Sequence, residues 1–187
     1  MRLFVFFVLL SNLLLATSGT TLLRLPPCNV PPQIDGQESP GEWDGASGSF
    51  GTLRIGSAFL SQRSAHFKIA YDQEYLYFRC QSELPPPPLN LVARVRENQG
   101  KVYLDDAVEL LLLPPGGKFV YQLLMNFNAH TLGIKYPVSY GSVSHEIHQE
   151  WKPAVEIACG RLEDAWWLLE LRLPLKELGL NEVPWNQ

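Results

Sequence analysis

The run Lys101–Pro115, KVYLDDAVELLLLPP, brings an aromatic ring and three carboxylates close together. In a β-strand alternate side chains share a face. Read as one strand, the run places Tyr103, Asp105, Ala107 and Glu109 on one side. Leu104, Asp106, Val108, Leu110 and Leu112 fall on the other. A ring, a small residue and two carboxylates on one face suit a sugar: the ring stacks on the apolar face of a pyranose, and the carboxylates accept hydrogen bonds from hydroxyls. The plainer reading is a strand entering the core with its acids at the solvated end. Glycosidase chemistry is a poorer fit. Its two carboxyls must straddle a bond at separations of about 5–9 Å, and neighbours on one strand straddle nothing. A binding role is therefore expected rather than an enzyme.

Two further clusters carry oxygen or nitrogen donors. Asp35, Glu38, Glu42 and Asp44 are candidate ligands for a structural Ca²⁺, an ion that takes about six to eight oxygens. His145, Glu146 and His148 lie in a polar loop without the HExxH helix pattern of a zinc protease, so a solvated loop is expected there.

The elements that must hold these residues are short. The chain has 187 residues, enough for one domain with a real core. Apolar residues make up 46% and charged residues 18%, which marks a globular chain and not a disordered one. Net charge is −4, or −5 without Arg2, and nothing is basic enough to indicate a nucleic-acid partner. Fifteen Pro and 14 Gly point to many tight turns.

Residues 1–18 have the shape of a secretory signal: Arg2, an apolar run from Leu3 to Leu15, then small residues. Cleavage is expected after Ser18, giving a secreted protein, with a retained N-terminal anchor as the alternative. Cys28 follows Leu25-Pro26-Pro27, which is no lipoprotein processing site. The mature chain keeps Cys28, Cys80 and Cys159, too few for a disulfide scaffold, and Cys80 and Cys159 fall inside expected strands.

Residues 19–33 form a Pro-rich extended segment, and the domain proper spans 34–187. A helical turn is expected to end at Trp43, and Leu53 and Ile55 mark a short strand. His66–Tyr71 and Tyr75–Gln81 alternate about the turn Asp72–Glu74, making the clearest hairpin of the chain. Pro85–Pro88 is a rigid spacer. The central strand, about Asp106–Leu113, turns at Pro114–Gly117. Phe119–Asn128 returns with Phe119, Tyr121, Leu123, Met125 and Phe127 on one face and Val120, Gln122, Leu124, Asn126 and Asn128 on the other. A weaker strand spans His130–Tyr136, and 137–150 reads as a polar loop. Ala154–Ala158 and Trp166–Leu173 are two more strands about a turn at Gly160–Asp164. In the second, Trp167, Leu169, Leu171 and Leu173 face the core and Trp166, Leu168, Glu170 and Arg172 face away. Pro174–Leu178 is a short helix stopped by Gly179. Such spacing predicts an all-β antiparallel sandwich, of jelly-roll or immunoglobulin-like type, with one short C-terminal helix. The tail Asn181–Gln187 stops abruptly after Trp185, as either a complete domain with a frayed end or one that lacks a last strand.

Several landmarks fall in one order: Ile34-Asp35-Gly36, the acidic turn with Trp43, the Ile69–Tyr77 hairpin, Asp105-Asp106-Ala107-Val108-Glu109-Leu110, a strand reaching Asn126, then Trp166–Glu170 and Leu173–Gly179. Over about Pro32 to Trp185 the string resembles the family 9 carbohydrate-binding modules, within the DOMON-like β-sandwich group. The resemblance implies a non-catalytic domain that binds polysaccharide or oligosaccharide ends, beside a glycoside hydrolase, in carbohydrate catabolism. It implies a slot between two aromatic rings, and a structural Ca²⁺. On the family's spacing the first ring is Tyr103, where Trp is usual, and the strand Glu is Glu109. Asn126 is the strand Asn, and Leu124 stands where a basic residue is usual. Trp185 is the stand-in for the second ring. Relatives in the wider group bind b-type haem through Met and His. Here Met125 with His66 or His130 would serve, although core packing of Met125 is the expectation and haem is not. A structural surface domain that has lost its ligand is the remaining alternative.

Overall fold

The computed structural model describes residues 25–50, 63–85, 90–139, 142–143 and 148–180. The leader, the Leu53 and Ile55 strand, Pro86–Pro88, His145, Glu146 and Trp185 lie outside the described residues.

Period-two alternation is strongest where two apolar faces must meet, and there the strands form as read. The strands are β1 (Ser47–Phe50), β2 (Ala65–Tyr71), β3 (Tyr75–Glu83), β4 (Ala107–Leu112), β5 (Phe119–Asn126), β6 (Thr131–Ser139), β7 (Ser142–Val143), β8 (Gln149–Glu150), β9 (Glu156–Leu162) and β10 (Trp166–Pro174). The first sheet has the order β1-β2-β3-β10-β9. The second runs β4-β5-β6-β7, with β8 also pairing β6. All these pairings are antiparallel. The result is the expected all-β sandwich. Phe67, Ile69, Phe78, Cys80, Leu169 and Leu171 of the first sheet meet Val108, Leu110, Leu123 and Met125 of the second in one buried core. Each such side chain contributes about 1.5–3 kcal/mol on burial.

Several boundaries differ from the sequence reading. Lys101–Pro115 is not one strand: Val102–Leu104 form a 3-10 turn and β4 begins at Ala107. Tyr103 therefore leaves the strand that carries Glu109. The reason is Asp105, whose side chain binds backbone amides upstream (Arg94 and Val95) and so draws the chain out of the sheet. Residues around Trp43 form turns rather than a helix. β9 runs on through Gly160 to Leu162, and the C-terminal helix is the 3-10 turn Leu175–Leu178, closed by Gly179 at φ +72°.

The two sheets are treated differently on their outer faces. Residues 26–46 lie over the first. Tyr71 and Cys28 donate backbone hydrogen bonds to Pro26 and Tyr71 respectively, which ties the segment to the end of β2. Glu170, on the outer face of β10, is completely buried beneath it. Its Oε2 accepts from the Asp35 and Gly36 amides at 3.3 and 3.0 Å, and its Oε1 from Trp43 Nε1 at 3.1 Å. Burial pushes this carboxyl up, against those three donors. The segment also touches β9 backbone to backbone: a Cβ added to Gly160 would lie 1.8 Å from the Gly36 carbonyl oxygen.

Gly160→Ala therefore has no room unless the covering segment lifts. The expected result is a loss of about 2–3 kcal/mol, read as a lower urea midpoint at unchanged m-value.

Candidate functional site

The outer face of the second sheet is where side-chain chemistry is left over. Register decides which residues meet there. Ala107 pairs with Asn126, Glu109 with Leu124, Leu124 with Leu132, Gln122 with Ile134 and Val120 with Tyr136. Glu109 and Gln122 are thus diagonal neighbours, close enough for their side chains to touch.

Gln122 Nε2 donates to Glu109 Oε1 at 2.5 Å, and the Tyr136 hydroxyl donates to Gln122 Oε1 at 2.6 Å. The chain fixes which end of the Gln122 amide faces which neighbour. Glu109 is 6% exposed, and its Oε2 is buried without a hydrogen-bond partner. Burial pushes its carboxyl up, opposed by the Gln122 bond. A buried acceptor without a partner on the outer face of a sheet is one that a water, an ion or a ligand hydroxyl would satisfy. Tyr136 also packs near His148, with ring centroids 6.2 Å apart.

Tyr103 stands beside this face on the 3-10 turn, 40% exposed, next to Leu104 at 57%. Val102 pins the turn down. It is completely buried and packs with Ala107 and Leu124, joined by Val95 and Leu132. Beside Tyr103 opens a groove of about 900 Å³, floored by Val95 and Leu132 and lined by the loop from Arg94 to Asp105.

That loop is held by Asp105 and Asn126. Asp105 accepts from the Arg94 and Val95 amides at 3.0 and 2.9 Å and from Asn126 Nδ2 at 2.9 Å. Burial raises its carboxyl, but these donors and the Arg94 charge outweigh burial and hold it below its ordinary value. Asn126 is completely buried. Besides Asp105 its amide donates to the Val95 carbonyl, and its oxygen accepts from the Asn128 and His130 amides. Asn126, expected to meet sugar, is instead a brace with no surface to offer. Asp106 is a second brace: its Oδ2 accepts from the Val92 amide at 2.7 Å, and Arg63 lies 3.7 Å from its Oδ1.

The four acids read as Ca²⁺ ligands are not brought together. Glu38 pairs with the buried Arg79 at 2.8 Å. Glu42 accepts from the Gln33 and Ser39 amides, and Asp35 Oδ1 accepts from the Gln37 amide. Among the described residues no three His, Cys, Asp or Glu side chains converge as a metal set, so these residues do not fit the ion. Met125 is completely buried in the inter-sheet core and His66 lies against Trp166 on the outer face of the first sheet, so these two do not meet as a haem pair; His130, the other partner named, sits in the β5–β6 turn with its amide on Asn126 Oδ1. Cys28, Cys80 and Cys159 are free thiols.

Sequence reading missed Gln122, Tyr136 and the loop cations Arg94, Arg96 and Lys101. The alternation of β5 does place Gln122 on the outer face. The β4–β5 register that sets it against Glu109 has no local sequence signal.

No protein-family model and no curated protein matches this chain. Solved structures do. A candidate carbohydrate-binding protein from Bacteroides uniformis is 16% identical, over 86% of this chain and 75% of its own, with a TM-score of 0.64. A family 9 carbohydrate-binding module from Caldicellulosiruptor kristjanssonii in complex with glucose is 18% identical, over 87% of this chain and 70% of its own, at TM-score 0.55. A family 9 module from that organism in complex with cellotriose is 19% identical, over 76% of this chain and 63% of its own, at TM-score 0.50. At these identities the likeness establishes a shared fold.

The buried carboxyls set the pH response. Glu109 and Glu170 titrate above their ordinary 4.5 in the folded state. Between the two values the folded chain binds more protons than the unfolded one, so stability rises as pH falls from neutral toward 4.5. Asp105 acts oppositely. Its contribution is present above its ordinary 3.8 and is lost as pH falls through its lower native value. Urea unfolding across pH should therefore peak in the weakly acidic range. Glu109→Gln should flatten the rise on the neutral side and leave the acid limb in place.

Proposed function

We propose that this chain is a non-catalytic carbohydrate-binding domain whose ligand lies on the outer face of the β4–β6 sheet. A sugar ring stacks on Tyr103, and one of its hydroxyls donates to Glu109 Oε2. The observation that carries the reading is that unsatisfied, buried acceptor on a face otherwise lined by Leu124, Leu132 and Ile134. The Gln122–Tyr136 chain holds it in place. The shared fold supports the reading, since two of the solved structures hold glucose or cellotriose.

The finer reading is a secreted accessory to a glycoside hydrolase, acting on polysaccharide ends. The Arg2-led apolar run and the small residues before Gly19 support secretion. Aromatic stacking and a charge-assisted hydrogen bond are each worth about 1–3 kcal/mol, which places affinity in the micromolar to millimolar range.

Affinity electrophoresis in gels containing xylan, mixed-linkage glucan or hydroxyethylcellulose, with calorimetry on glucose and cellotriose, tests this. The mature protein should be retarded by at least one glycan, and Tyr103→Ala or Glu109→Gln should weaken binding about tenfold or more. A folded protein that no glycan retards would sink the reading and leave a surface domain that has kept the fold without the ligand.

A further inference from the structure

The groove beside Tyr103 carries charge that a neutral sugar does not require. Arg94, Arg96 and Lys101 line it and are exposed. The acids that line it are Glu97 and Asp105; Asp105 is occupied by the Arg94 and Val95 amides and by Asn126 and also feels the Arg94 charge, so the lining carries one cation in excess. Among the described residues none of the three cations forms an ion pair. The chain as a whole is acidic, at −4, so this concentration is local and not a reflection of overall composition.

The backbone that presents these cations is also held unusually firmly for a surface loop. Gln99 donates from its amide to the Thr131 carbonyl at 2.6 Å, and Thr131 donates back to Asn98 Oδ1 at 3.0 Å. Asn128 Nδ2 donates to the Ala93 carbonyl at 2.7 Å. Gln99 sits at φ +63°, in the left-handed region that a side chain rarely adopts, and such strain persists only where surrounding contacts fix it. A solvated run of charge needs no such bracing. A binding rim does, because pre-ordering lowers the entropy cost of capture.

We infer that the preferred ligand is an anionic saccharide, bearing carboxylate or sulfate groups, with its ring on Tyr103 and its acid group held by Arg94, Arg96 and Lys101. The guanidinium forks match planar or tetrahedral oxyanions. Glu109 repels the acid group, so that group turns toward the loop while a neutral hydroxyl reaches Oε2. The inference rests on the reading that this face binds sugar.

The test is calorimetry on the full mature chain with oligogalacturonate, chondroitin sulfate oligosaccharides, cellotriose and polyglutamate. An anionic glycan should bind more tightly than cellotriose, and less tightly as NaCl rises from about 50 to about 500 mM. The triple variant Arg94→Gln, Arg96→Gln, Lys101→Gln should lose roughly three- to thirty-fold for that glycan while keeping its affinity for cellotriose. Preference for oligogalacturonate assigns a carboxylate, and preference for the chondroitin sulfate that is lost with desulfated chondroitin assigns a sulfate. Equal binding of cellotriose and the anionic glycans overturns the inference and leaves the sugar reading standing. No binding of any saccharide by folded protein overturns both. Polyglutamate binding as tightly as the glycans overturns the inference too, since bare charge and not a sugar would then be recognised.

Discussion

Everything proposed for this protein depends on one carboxylate that touches no ligand. Asp105 ties the Arg94 and Val95 amides to Asn126, and so to the end of β5. A loop from residue 92 to 106 must leave the sheet, satisfy its own backbone and return in register for β4. Buried amides without partners each cost about 1–3 kcal/mol, so a loop this tightly packed needs internal acceptors. Asp105 and Asn126 supply them. In doing so they set the position of Val102, whose burial turns Tyr103 and Leu104 outward beside the open face. The outward position of Tyr103 is a by-product of how the backbone solves its hydrogen-bond problem.

The asymmetry of the sandwich follows from a second buried carboxylate. Glu170 draws Asp35, Gly36 and Trp43 onto the first sheet and closes its outer face. Among the described residues no equivalent segment covers Gln122 and Ile134 of the second sheet, which are half-buried. The two acids shift in opposite directions although each accepts from three donors: the Arg94 charge helps hold Asp105 down, whereas the Glu42 charge adds to burial in pushing Glu170 up.

The fold was legible because alternation survives translation into pairing. Phe67, Ile69 and Tyr71, or Trp167, Leu169 and Leu171, declare an inward face without knowledge of their partners. The site was legible only in part. Glu109 could be placed on an outer face from its neighbours in sequence. Tyr103 could not, because its position depends on Asp105 binding amides ten and eleven residues away. Asn126 sat in the right place for a ligand contact, but its solvent exposure is decided by a loop thirty-one residues upstream. Glu38, Glu42 and Asp35 look alike as oxygen donors in a string. In space each is already taken, by Arg79 or by backbone amides. What sequence lacks in these cases is the third dimension of hydrogen-bond accounting.

The strand order of the first sheet has a bearing on how the molecule forms. β3 finds β2 across a short turn, but its other neighbour is β10, with Cys80 opposite Leu169. During synthesis the β2–β3 hairpin emerges long before the strand that will cover its second edge. Until then β3 presents open backbone and the apolar row Leu76, Phe78 and Cys80. Pairings of such separation are slow because loop closure precedes any gain from contact. The half-made sheet is therefore the interval in which this chain is most exposed to wrong partners, and a chaperone that shields the β3 edge would act there.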